Sequence, residues 1–167
     1  MFLPRSAPTS RSSARPAARG STALLGALAF GLVAIAPAAA AADDEYPLTP
    51  SPPGAAVYFV NLNDGDTVSA PVKVVFGLSG MGIAPAGIEQ EATGHHHLFL
   101  NRAPLNEADV GEIIPGDEEH IHFGGGQTEA VLDLEPGAYT MQLVLGDAAH
   151  IPHEPPVASD VITITVQ

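Results

Sequence analysis

The chain has 167 residues and no cysteine, and its formal net charge is −13 although only 15% of its residues are charged. With no thiol, disulfides and thiolate metal sites are excluded, so stability has to come from a packed core. The acidity opposes phosphate backbones and anionic lipid surfaces, so neither nucleic acid nor a membrane surface is an expected partner.

Residues 1–42 read as a secretory signal peptide. Arg5, Arg11, Arg15 and Arg19 form a basic region without acids, an apolar Ala-rich run follows, and small residues stand just before Asp43. That order marks an export signal. Cleavage is expected after Ala42, leaving a periplasmic or secreted protein with no further membrane attachment. Beyond the leader, only Lys73 and Arg102 face the 19 acidic residues, a net charge of −17. Cations and basic partners are therefore favoured. Residues 43–56, "DDEYPLTPSPPGAA", are too Pro-rich for a helix or a central strand and read as an acidic extended linker. Residues 57–167 suffice for one core and not for two.

From Val57 onward, short β patterns alternate with turn signals. "VYFV" runs into "NLNDGDT", where Asp64-Gly65 marks a turn. "PVKVVFGLSG" places Val72, Val74, Phe76 and Leu78 on one face. "GHHHLFL" is the next strand. Residues 101–118 read as a long polar loop with one short strand near Ile113. "HIHF" is a short strand, and "GGGQ" a tight turn where backbone passes closely. The strand that follows is expected to point Val131 inward, with Ala130 or Leu132. "AYTMQLVLGD" aligns Tyr139, Met141, Leu143 and Leu145 on one face. "AHIPHEPPVASD" is a Pro-rich loop, and "VITITV" closes the domain. About seven strands without a helix predict an all-β fold, an immunoglobulin-like antiparallel β-sandwich.

All seven histidines lie between positions 95 and 153, in three groups: His95, His96 and His97; His120 and His122; His150 and His153. Side chains at i and i+2 of a strand share a face. If Leu98 and Leu100 face the core, His96 joins them as a structural residue, and His95 and His97 point the other way. "HIHF" repeats the scheme, with Ile121 and Phe123 on one face and His120 and His122 on the other. Two such pairs on adjacent strands can bring several ring nitrogens to one ion at about 2 Å. Nitrogen ligation without thiolate suits Cu(II) or Zn(II). The ligand set expected is His95, His97, His120 and His122, completed by His150 or His153. Glu119, Glu129 and Asp147 lie close enough in sequence to orient imidazoles.

"GHHHLFL", "DEEHIHFGGGQTEAVLDLEPGAYTMQLVLGD" and "HIPHEPPVASDVITITV" resemble, in that order, an exported bacterial family, domain of unknown function 4399, over about residues 57–167. The resemblance implies that the three histidine groups form one constellation ending in a D-x-x-H motif, here Asp147 to His150. It implies no activity. "HIHFGGGQT" is also similar to the copper-ligand strand of Cu/Zn superoxide dismutases, but their disulfide cysteine and remaining ligand pattern are missing. The expectation is an exported module that captures or delivers metal, with the ion and a periplasmic protein as partners. The alternatives are a metal-free interaction module and, behind it, a histidine-metal hydrolase or oxidoreductase.

Overall fold

The structure, a computed structural model, describes residues 47–167; the leader read from residues 1–42 lies outside them. Nine strands follow in chain order: β1 (Ala56–Phe59), β2 (Thr67–Val68), β3 (Val72–Ser79), β4 (Gly82–Ile83), β5 (Thr93–Leu100), β6 (His120–His122), β7 (Glu129–Leu132), β8 (Gly137–Gly146) and β9 (Ile162–Val166). The only helical element among the described residues is a 3-10 turn at Glu107–Asp109. No helix among them is long and apolar enough to cross a membrane.

The strands form two sheets. β1-β3-β7 is antiparallel throughout. The second sheet runs β2-β9-β8-β5, with β4 and β6 sharing the outer edge of β5 at its two ends. The described residues are thus nearly all-β, as the periodicity predicts, but not uniformly antiparallel: β2 lies parallel to β9 and β4 parallel to β5. Both parallel pairings are two residues long, too short for a period-two pattern. Their partners arrive through long connections rather than hairpin turns.

One core joins the two sheets. Val57, Val72, Val74 and Phe76 from the smaller sheet pack with Leu98, Leu100, Met141, Leu143, Leu145, Ile162, Ile164 and Val166 from the larger. The alternation expected in β3 and β8 is the one observed. In β7 it is shifted: Val131 faces solvent, 66% exposed, while Ala130 and Leu132 pack on the core. The register explains this. Val131 lies opposite Lys73, on the outer face, where Lys73 Nζ meets Glu129 Oε2 at 3.0 Å. No strand forms near Ile113; its neighbour Ile114 instead packs with Phe99 and Val144 in a second apolar cluster. That cluster lies on the face of β5 opposite the main core, so β5 is buried on both faces along its length.

After β8 the chain doubles back beside it. Asp147 N–H donates to the Ile151 carbonyl, and Leu145 N–H to Val157. Residues 49–51 of the stretch read as a linker dock here. Ser51 N–H donates to the Glu154 carbonyl at 3.1 Å and Glu154 N–H to Thr49 at 2.9 Å. The Thr49 hydroxyl donates to Asp147 Oδ2 at 2.6 Å.

Candidate metal centre

β5 sets the frame of the site. Leu98 and Leu100 are drawn to the core, so by alternation His95 and His97 project from the opposite face. Antiparallel pairing sets His122 of β6 directly across from His97. The fourth imidazole comes from the turn after β8. Asp147 Oδ1 accepts from the N–H groups of Ala149 at 2.8 Å and Ile151 at 3.0 Å, and His150 N–H donates to the Asp147 carbonyl. Asp is favoured at the first position of such a turn because its carboxylate closes a local ring of this kind. The residue closing a three-residue hairpin loop adopts left-handed backbone, and His150 does so with φ +68°. A non-glycine residue held there costs free energy that the surroundings must offset.

The four rings meet. His95 Nε2 lies 3.0 Å from His97 Nε2 and 3.1 Å from His150 Nδ1. Ring centroids of His122 are 5.0, 5.1 and 4.6 Å from those of His95, His97 and His150. One nitrogen from each residue lies within 4.8 Å of all the others, so the cluster can hold a metal ion. A tetrahedral ion with bonds of about 2.0–2.1 Å spaces its nitrogens about 3.3 Å apart, close to the two shorter separations. Two glycines keep the space open. A Cβ on Gly146 would lie 2.8 Å from His97 Nε2, and one on Gly124 would lie 2.4 Å from His122 Nε2.

The protonation chemistry agrees with a cation-binding role. Burial, then the neighbouring His150 and His122, pushes the pKa of His95 down to about 4, against an opposing pull from the Asp147 carboxylate. Burial and the other imidazoles push His97 down to about 2. His122 is lowered as well, by burial and by His150. At neutral pH His95 and His97 are uncharged and carry lone pairs, the form that ligates metal. The Nδ1 atoms of His95 and His97 are buried without a hydrogen-bond partner among the described residues. An unpartnered buried nitrogen is costly. Protein–protein hydrogen bonds alone therefore do not satisfy these rings.

The remaining sequence candidates lie elsewhere. His120 shares the outer face but stands opposite Phe99, one step too far along β5. Its ring packs on Phe99, its Nδ1 lies 2.7 Å from Asp117 Oδ1, and its Nε2 meets Arg102 Nη1. His153 is fully buried over Gly94, its ring nitrogens facing the carbonyls of Leu145 and Thr93 at 3.3 and 3.2 Å. His96 faces the core as the alternation requires, its ring 5.0 Å from that of Phe76 and its Nδ1 3.2 Å from the Gln127 carbonyl. Of the three acids, Glu119 is exposed and Glu129 pairs with Lys73 on the other sheet. Asp147 alone shapes the site, through the turn that carries His150. The space-making roles of Gly124 and Gly146 and the contact from Thr49 have no sequence signature, because each depends on a tertiary neighbour.

Residues 74–167 match the model of a family described as a domain of unknown function, DUF4399. The chain belongs to that family. The DUF4399 match runs from within β3 to the C-terminus and includes all four clustered histidines. No curated protein and no solved structure matches the chain.

Proposed function

We propose that this DUF4399 domain is an exported metal-binding module of immunoglobulin-like fold. In this reading it holds Cu(II) or Zn(II) in the periplasm through His95, His97, His122 and His150, for capture or delivery of the ion. The observation that carries the reading is the convergence of four imidazole nitrogens within 4.8 Å, with no carboxylate among them. Neutral nitrogen donors without thiolate favour borderline ions over Mg(II) or Ca(II). The order of the leader favours export. The strongly acidic mature chain attracts cations by its long-range field.

Equilibrium dialysis or calorimetry of untagged protein with each ion tests the reading. One ion per chain is expected, bound far more tightly than millimolar and lost when His97 is replaced by Gln. Millimolar or weaker binding of both ions would falsify it. Amino-terminal sequencing of the exported product tests the leader, with Asp43 expected as the first residue.

A further inference from the structure

The four candidate ligands are not equivalent. His95 and His97 are 0% and 1% exposed, whereas His122 is exposed and His150 half-buried. The inner pair stands on β5, hydrogen-bonded to β8 on one side and to β4 and β6 on the other. The outer pair comes from the rim of this frame, His122 from β6 and His150 from the turn after β8. His122 ends a three-residue strand that pairs with β5 alone, and the core residue Phe123 separates it from three consecutive glycines. His150 sits in a turn with left-handed backbone. An ion in this cluster would thus be held from below by the buried pair and covered on its solvent side by His122 and His150.

A second observation points the same way. Metal-bound imidazoles commonly donate their other N–H to an acceptor, which fixes the ring and strengthens the bond to the ion. The Nδ1 atoms of His95 and His97 lack such an acceptor among the described residues. Long-term structural sites are closed and supported around the ligands; this one is open on the His122 side, and no described protein group accepts from the inner rings behind it.

We propose that the cluster, read as a metal site, is a hand-over centre: His95 and His97 retain the ion while His122 and His150 yield it to an acceptor offering nitrogen or sulfur ligands. Transfer then proceeds by ligand exchange at the exposed side, with the acceptor's donors replacing His122 and His150 before the inner pair releases. No redox step is involved, and the ion leaves with the charge it arrived with.

The test loads the untagged protein with Zn(II) and mixes it with increasing excesses of a chromogenic Zn(II) chelator in stopped flow. The transfer rate is expected to rise in proportion to chelator concentration. His122→Ala is expected to retain one ion and to transfer it at least tenfold faster, and His97→Gln to bind none under the same conditions. A transfer rate that stays flat as chelator increases overturns the proposal, because the ion would then leave unaided. So does loss of the ion from His122→Ala as complete as that from His97→Gln. The wild-type concentration series decides the mechanism even if a variant fails to fold. Absence of Zn(II) binding by the wild type, seen at the loading step, would move the same test to Cu(II), and absence of binding of both ions would remove the metal reading itself.

Discussion

His150 occupies backbone that most side chains avoid, and this gives the residue scale its sharpest prediction. Glycine adopts φ near +68° without steric cost, whereas other residues lose roughly 1–2 kcal/mol there. His150→Gly should leave the metal-free fold as stable as before, or more stable by up to about 1 kcal/mol. The same change should weaken metal binding at least tenfold in calorimetry. A loss of both would mean that the ring itself supports the fold. The neighbouring pair His96 and His97 tests the alternation directly. His96→Ala opens a void beside Phe76 and should cost about 2–4 kcal/mol in denaturant unfolding while one ion still binds. His97→Gln should reverse that balance. The division of His95 and His97 from His96 was legible in the sequence because Leu98 and Leu100 anchor the phase of the strand. The separation of His120 from His122 was not. Both lie on one face, and only the register with β5, which sets Phe99 against His120, decides which of them meets the other rings.

At the scale of elements, legibility follows length. β3, β5, β8 and β9 carry at least five residues of pattern each, and their faces follow from the sequence. β2 and β4, with two residues each, carry none. The glycines around β5 divide fold from site. A Cβ on Gly94 would lie 2.6 Å from the Gly146 carbonyl oxygen, which is backbone and cannot turn aside, and 2.9 Å from His153. Gly94→Ala should therefore destabilise the domain by about 1–3 kcal/mol, as overpacking does. A Cβ on Gly124 would meet first the ring of His122, a side chain at the exposed rim, and then Ala86 Cβ at 3.3 Å. Gly124→Ala should displace that ligand with little change in melting temperature, and metal affinity should fall. Melting curves and calorimetry on the two variants distinguish the effects.

Over the whole molecule, the buried imidazoles make stability depend on pH. Folding lowers the pKa of His95 from 6.5 to about 4 and that of His97 to about 2. Between these values and 6.5 the unfolded chain binds more protons than the folded one, so stability rises with pH. The metal-free protein should melt at progressively lower temperature as pH falls below 6.5, and show no further gain from these two groups above it. A bound ion adds stability by mass action, about 2.7 kcal/mol at a free concentration one hundred times Kd. Thermal melts with and without Zn(II), and after chelator, should show that increment appear and disappear.

The Thr49 hydroxyl on Asp147 ties the beginning of the domain to the turn that holds His150. Thr49 lies seven residues before the first strand, in a stretch that contributes nothing to either sheet except through Pro50 beside Glu154. A chain begun at Ala55 would keep all nine strands and the whole apolar core, and by every spectroscopic sign of β structure would be intact. It would nevertheless have lost the pin that steadies one of four ligands. On the metal-site reading, the functional boundary of this domain lies upstream of its structural one, and a fusion or tag placed for convenience at the first strand should blunt the site while leaving the fold intact.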